Sequence, residues 1–149
     1  MTHSESTIAK SFEEIIAKAA NETLEKGAYS AQRLISVLEV IPKDFKVKIE
    51  LDKVLVSSDF ATYSWRGSYN LPAIEYSSAQ EWCTVAEAIT ALKETEGTEV
   101  EGYKGGTFIL SDTSPVFIAN YGESNNSTAI VDYYLIGDSI IFKTREGMY

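Results

Sequence analysis

The amino-acid sequence predicts an α+β fold, with an N-terminal helical hairpin plus a mostly antiparallel sheet with one further helix. Apolar residues recur at helical spacing as far as Ile41 and then alternate with polar residues from Phe45 onward. The regular strand–helix alternation that a parallel sheet requires is absent. The length of 149 residues suits one core, so we expect residues 1–149 to form a single domain.

The predicted hairpin consists of two amphipathic helices. In the first helix the apolar positions are Ile8, Phe12, Ile15, Ile16, Ala19 and Leu24. Gly27 is a natural C-terminal stop for this helix. Ser30 is a plausible N-cap for the second helix, which Pro42 prevents from continuing.

The remaining elements are predicted from alternation, capping and turn residues. Phe45, Val47, Ile49 and Leu51 alternate with charged residues, as in a half-buried strand. Thr84 and Glu87 form a capping box that opens the third helix. Residues 61–69 and 71–76 are interpreted as strand ends around a loop, and further strands are expected over residues 107–110, 116–119, 129–136 and 139–143. Gly137-Asp138 suits a type II′ hairpin turn.

Charge and cysteine content restrict the classes of function. The chain has 13 Lys and Arg against 22 Asp and Glu, a formal charge of −9, which opposes general nucleic-acid binding. A basic protein partner, DNA mimicry or simple solubility each accounts for the acidity. No apolar run approaches the roughly 20 residues of a membrane span, and the N-terminus does not resemble a secretory signal. With a single cysteine, the sequence predicts a cytoplasmic protein that does not bind membranes.

A first candidate ligand segment is Ser64-Trp65-Arg66-Gly67-Ser68-Tyr69. Arginine can bind phosphate or carboxylate through its planar fork, and the two aromatic rings can stack on a base. The alternative is a strand end whose Trp65 and Tyr69 point into the core while Arg66 lies on the surface.

Two further segments place glycines beside an aromatic residue. In Glu101-Gly102-Tyr103-Lys104-Gly105-Gly106-Thr107, successive backbone N–H groups could bind an anion beside the lysine, although a bulged hairpin uses glycines similarly. The spacing is not that of a nucleoside-triphosphatase phosphate loop. Ala119-Asn120-Tyr121-Gly122 is a third aromatic turn after a strand. We expect Trp65, Arg66, Tyr103, Lys104 and Tyr121 to converge in one concave region.

The order of these motifs resembles a family of small bacteriophage and prophage proteins without an assigned activity. The resemblance covers about residues 63–122 and rests on Trp-Arg-Gly-Ser-Tyr, Thr-Val-Ala-Glu, Gly-Tyr-Lys-Gly-Gly-x-Phe and Pro-x-x-x-Ala-x-Tyr-Gly. It implies an accessory phage protein in the host cytoplasm, such as one that counters a host defence. The resemblance supplies no mechanism.

The inventory of catalytic groups is small. His3 is the only histidine and lies near the terminus, and Cys83 has no histidine partner and is expected to be a packing residue. Four carboxylates could act as bases or hold a metal, although no spacing among them forms a known signature: Asp59, Glu75, Asp112 and Asp132. No cofactor is expected, and catalysis is less favoured than binding.

The sequence therefore predicts a phage-type accessory protein that binds a small anionic ligand, such as a nucleotide-derived host immune signal. Two alternatives stay open. One is an acidic inhibitor that binds a host defence protein through glutamates such as Glu13, Glu14 and Glu25. The other is an enzyme that acts on a nucleotide or sugar through carboxylates. Homo-oligomerisation also stays open.

Overall fold

Three helices and ten strands make up the described part of the chain. The computed structural model describes residues 2–101, 105–120 and 126–149, with the backbone alone for residues 2–13 and Tyr69. The helices are α1 (Thr2–Glu25), α2 (Ala31–Glu39) and α3 (Val85–Lys93). The strands are β1 (Lys46–Leu51), β2 (Val54–Val56), β3 (Thr62–Trp65), β4 (Ser68–Glu75), β5 (Cys83–Thr84), β6 (Glu99–Glu101), β7 (Thr107–Ile109), β8 (Phe117–Ala119), β9 (Ala129–Ile136) and β10 (Ser139–Arg145).

Eight strands form one mixed, mostly antiparallel sheet. Its order is β2-β1-β10-β9-β8-β4-β3, and β5 pairs with β1 beside β2. Two pairs are parallel, β1 with β10 and β4 with β8. The strands β6 and β7 form a separate hairpin that contacts β3 and β4. The predicted α+β class is confirmed, whereas the short strands β2, β5 and β6 were not predicted.

The predicted stop and start signals of the helices are confirmed. Gly27 follows α1 with a φ of +108°, and the Ser30 hydroxyl accepts the Arg33 N–H at 3.1 Å as the N-cap of α2. In the described part of α1, Ile15 is 63% exposed, which departs from the predicted apolar stripe. Ala20 of α1 is buried in one core cluster, whereas the buried residues of α2 belong to another. The helix α2 packs on α3.

The main core lies between one face of the sheet and the helices α2 and α3. Alternate residues of β1 and β10 point into it because strand side chains alternate between the two faces. Its fully buried members include Leu34, Leu38, Val47, Ile49, Val85, Leu92, Ile140 and Phe142. The alternation predicted for β1 is confirmed.

A second core cluster lies on the opposite face of β4 and β8. Ile74 and Ile118 belong to the main core, whereas their neighbours Ala73 and Phe117 belong to the second cluster. These strands are therefore buried on both faces, which explains their nearly continuous apolar sequences. Met148 also packs into this second cluster and is 1% exposed.

The turn between β9 and β10 has the predicted two-residue form. Ile136 pairs with Ser139 across Gly137 and Asp138. The φ of Gly137 is +56°, and Asp138 is not among the residues with positive φ, as a type II′ turn requires. In the part of the chain that the structure describes, the helices are all too short or too polar to span a membrane.

Candidate functional site

A cavity of about 570 Å³ lies at the carboxyl ends of β4 and β8. Glu75 and Ala119 are partners where these parallel strands end, and the Tyr76 N–H donates to the Ala119 carbonyl at 3.2 Å. Tyr76 and Asn120 then line the cavity. Ligands commonly bind outside the carboxyl ends of strands in open sheets that contain parallel pairs, and this volume suits a small molecule.

A hydrogen-bonded bridge holds two walls of the cavity together. Ser57, after β2, and Ser77, after β4, exchange backbone hydrogen bonds of 2.8 Å in both directions. The Ser57 hydroxyl also donates to the Ser77 carbonyl at 3.1 Å. Both serines line the cavity together with Ser58 and Ser78, so hydroxyl groups contribute to its surface.

Two strained backbone positions border this site. Phe60 and Gln80 are adjacent to the lining residues Asp59, Ala79 and Glu81, and their φ angles are +61° and +58°. The Phe60 ring is fully buried in the main core, and its N–H donates to the Ser58 hydroxyl at 3.0 Å. Left-handed backbone at a bulky residue is costly and tends to occur where a site needs a particular geometry.

Carboxylates dominate the electrostatics of the cavity. Asp59, Glu75, Glu81 and Glu87 line it from four separate segments, and its described lining includes no Lys, Arg or His. The Glu87 carboxylate accepts the Thr84 N–H at 3.0 Å, which lowers the pKa of Glu87 and keeps it ionised. The Thr84 hydroxyl accepts the Glu87 N–H at 3.2 Å, which completes the predicted capping box.

Cys83 lies beside two of these carboxylates and is half-buried. Burial of the thiol, followed by the charges of Glu87 and Asp59, raises the pKa of Cys83 to about 12. The residue is half-buried and packs against the main core, so the thiol stays protonated at neutral pH. Cys83 therefore packs against the core as predicted, and it also lines the cavity.

Trp82, in the wall of the cavity, already contacts a cation, the ammonium group of Lys48. The Nζ of Lys48 lies 4.8 Å from the centroid of the Trp82 ring, within the range of a cation–π contact. Trp82 is half-buried and lines the cavity. Its ring therefore adds apolar surface beside the carboxylates.

Trp65 is 2% exposed and has a different environment from the one expected of a ligand contact. One ring face stacks on Phe117 with a centroid distance of 3.9 Å. A Cβ added to Gly67 would lie 2.3 to 2.5 Å from three atoms of the Trp65 ring, so the Gly67 backbone covers the other face. With neither face open, Trp65 packs in the core, which corrects its expected stacking role.

The other predicted ligand residues, apart from Asn120, either do not line this cavity or lie outside the described residues. Arg66 is exposed in the turn between β3 and β4, and the Ser68 hydroxyl next to it donates to Asn70 at 2.7 Å. Gly105 and Gly106 are exposed before β7 with φ angles of +93° and +85°. The side chain of Tyr69 and the whole of Tyr103, Lys104 and Tyr121 lie outside the described residues. Their convergence with Arg66 stays a prediction.

Asn120 is the predicted ligand residue that lines the cavity, where two of the predicted carboxylates, Asp59 and Glu75, join it. The other two lie elsewhere. Asp112 hydrogen-bonds to Glu96, its N–H donating to that carboxylate at 2.7 Å, and Asp132 lies in β9. Sequence analysis missed Tyr76, Glu81 and Trp82 as site residues. The available signal was the sequence Glu81-Trp82-Cys83 immediately before the capping box.

Comparisons with known proteins do not assign this site. The chain matches no family model, no curated protein and no solved structure. Among the described residues, no group of three or more His, Cys, Asp or Glu side chains is arranged to bind a metal.

Proposed function

We propose that this protein binds a small organic cation, such as an amine, in the cavity at the ends of β4 and β8, without transforming it. The observation that carries the proposal is the set of four carboxylates that line one cavity from four segments. We favour a cation over the anionic ligand expected from the sequence because the four carboxylates that line this cavity repel an anion.

The composition of the cavity suits an amine. An ammonium group donates up to three hydrogen bonds, which carboxylate, hydroxyl and amide oxygens accept. A hydrogen bond to a charged group contributes about 1.5 to 3 kcal/mol. Glu75 and Asn120 offer such acceptors at adjacent strand ends, and the Trp82 ring offers a surface for the ligand's methylene groups.

Isothermal titration calorimetry with a panel of mono-, di- and polyamines tests this proposal. Glu75→Gln and Asp59→Asn keep the shape of the cavity and remove one charge each, so each should weaken amine binding by about tenfold. Glu99→Gln is the matched control because it removes one carboxylate from an exposed position in β6. It should change affinity by less than about twofold, because Glu99 does not line the cavity.

Two outcomes contradict the proposal. Failure of every amine in the panel to bind is one. Equal weakening by Glu75→Gln and Glu99→Gln is the other, because it means that net charge and not the cavity attracts the ligand. If the recovered ligand differs chemically from the one supplied, the site is catalytic, with Asp59 and Glu75 as the candidate acid and base.

A second candidate is the anionic ligand, such as a nucleotide-derived immune signal of a phage host. The exposed position of Arg66 in the β3–β4 turn favours it. Arg66→Ala and Lys104→Ala should then each weaken nucleotide binding by roughly tenfold, and more salt should weaken it further. The ligand should be recovered unchanged after heat denaturation. A nucleotide panel without a binder contradicts this candidate.

A third candidate is the acidic inhibitor of a host defence protein. Glu14, Glu22 and Glu25 are exposed along α1 and border a shallow groove on that helix, whereas the side chain of Glu13 lies outside the described residues. Replacement of Glu14 and Glu25 by lysine should abolish capture of such a partner from host lysate. Capture that survives the double substitution contradicts this candidate.

A further inference from the structure

The C-terminal half of β9 has one paired edge and one open edge. On one side it pairs with β10 along its whole length. On the other side, the pairing with β8 is confined to Ala129, and the Ile130 carbonyl accepts the Tyr29 N–H at 2.8 Å. Beyond Ile130, no strand in the described part of the chain pairs with this side of β9.

This open edge carries exposed apolar side chains on both faces of the sheet. Tyr133, Tyr134, Leu135 and Ile136 are 36%, 37%, 51% and 60% exposed. Edge strands usually carry charged residues or proline, which block pairing with another chain. Here the one such device is Asp132, whose carboxylate accepts the Tyr133 N–H at 2.8 Å. This hydrogen bond occupies the Tyr133 N–H, so the edge is open to another strand only beyond that group.

The hairpin turn determines which backbone groups face outward. Ile136 and Ser139 flank the two-residue turn and form the hydrogen-bonded pair that closes it. Backbone groups alternate along a strand, so those of Tyr134 point toward β10. Those of Tyr133 and Leu135 point toward the open edge.

We propose that two copies of this chain pair antiparallel along the open edge of β9, which joins their sheets across a twofold axis. Tyr133 of one copy faces Leu135 of the other, and the two Tyr134 side chains meet at the axis. Because Asp132 holds the Tyr133 N–H, this pairing forms two backbone hydrogen bonds, one from each Leu135 N–H to the Tyr133 carbonyl of the other copy. It extends the sheet in the mode of β-strand addition.

The charge distribution favours a second copy as the occupant. Residues 133–137 are uncharged in a chain of net charge −9. In this register Asp132 faces Ile136 of the other copy, so the two Asp132 carboxylates lie four residue steps apart, about 13 Å. That separation exceeds the Debye length of about 8 Å at physiological salt. Self-pairing therefore matches apolar groups with apolar groups and keeps like charges apart.

The interface formed by one strand and its side chains is small, and small interfaces associate weakly. Dimerisation should therefore depend on concentration. Sedimentation equilibrium of the full chain, from low micromolar to about 1 mM, should show a shift from monomer to dimer. A monomer throughout this range overturns the proposal.

Two matched variants locate the interface. Leu135→Lys introduces a charge on the open edge of β9, and Val54→Lys does the same on the edge strand β2, where Val54 is 55% exposed. Leu135→Lys should raise the dimer dissociation constant at least tenfold, whereas Val54→Lys should leave it within about twofold. Equal effects of the two variants, or no effect of Leu135→Lys, overturn the proposal.

Amide hydrogen exchange of the wild-type chain keeps the test independent of how the variants fold. The Leu135 N–H should exchange at least tenfold more slowly at high than at low protein concentration, because pairing engages it in a hydrogen bond. Exchange that does not depend on concentration overturns the proposal. Neither outcome bears on amine binding, since the cavity lies at the ends of β4 and β8.

Discussion

The two ends of β4 use aromatic and polar residues in opposite ways. At its start, Trp65 is held between the Phe117 ring and the Gly67 backbone and is 2% exposed. At its end, Glu75 opens into a cavity with other carboxylates and with Trp82. The two ends are seven residue steps apart, about 23 Å, so they are separate sites.

The difference teaches that a compact cluster of aromatic, glycine and arginine residues need not be a binding site. Trp65, Arg66 and Gly67 lie close together at the start of β4 because they are neighbours in sequence within one tight turn. The cavity at the end of β4 draws its carboxylates from four segments. Substitutions at the first end should therefore affect stability, and substitutions at the second end should affect ligand binding.

The largest expected effect is the loss of stability in Gly67→Ala. The new Cβ would lie 2.3 to 2.5 Å from three atoms of the Trp65 ring, which Phe117 holds from the other side. Overpacking of this kind costs about 2 to 3 kcal/mol in the free energy of unfolding. Urea denaturation measures this loss, and amine binding by the folded variant should stay unchanged.

Trp65→Phe supplies the control for that prediction. Phenylalanine lacks the three ring atoms, Cη2, Cζ2 and Cζ3, that the added Cβ approaches. In the Trp65→Phe background, Gly67→Ala should therefore cost at least 1 kcal/mol less than in the wild type. If the two costs are equal, the glycine is required for its backbone conformation and not for the ring.

At the other end of β4, Cys83 should make stability fall at alkaline pH. Because the pKa of the folded thiol is raised to about 12 from 9, the unfolded chain loses this proton first as the pH rises. The contribution of the protonated Cys83 thiol to the free energy of unfolding is complete below pH 9 and is lost between about pH 9 and 12. Urea denaturation at pH 8 and pH 10.5 should show a smaller alkaline loss for Cys83→Ser. An equal loss in both proteins contradicts the assignment.

A smaller effect is expected at acid pH from the capping box of α3. Hydrogen bonds from Thr84 lower the pKa of Glu87, so its contribution is present above the unfolded pKa of about 4.5 and is lost as the pH falls through the folded value. Glu87→Gln keeps a side chain that can close a capping box and removes the titration. The variant should lose less stability than the wild type between pH 5 and pH 3 in thermal melts. Parallel losses would falsify this role.

The smallest effect on stability is expected for Arg66→Ala. Arg66 is exposed in the turn, so its truncation should change the free energy of unfolding by less than about 0.5 kcal/mol. Gly67→Ala, one residue away, should cost more stability, because Gly67 supports the Trp65 ring whereas Arg66 lies on the surface of the turn. A loss above 1 kcal/mol means that the arginine belongs to the packed unit.

Much of the fold was predictable because its signals are local. Ser30 and Thr84 cap their helices, the alternation of β1 places Val47 and Ile49 in the core, and Gly137 adopts the expected positive φ. The short strands were not predictable in this way. The three residues of β2 and the two of β5 are too short for a periodic pattern and depend on pairing with β1.

By itself, the sequence determined the α+β class, the helix caps and the packing role of Cys83, since each depends on neighbours within a few residues or on composition. Tertiary structure alone decided that Trp65 is enclosed, that Asp59 and Glu75 share a cavity, and that the end of β9 keeps an open edge. The physical reason is that side-chain burial and the summed field of several carboxylates depend on segments distant in sequence. The β4–β8 pair creates the cavity because residues more than 40 positions apart lie side by side there.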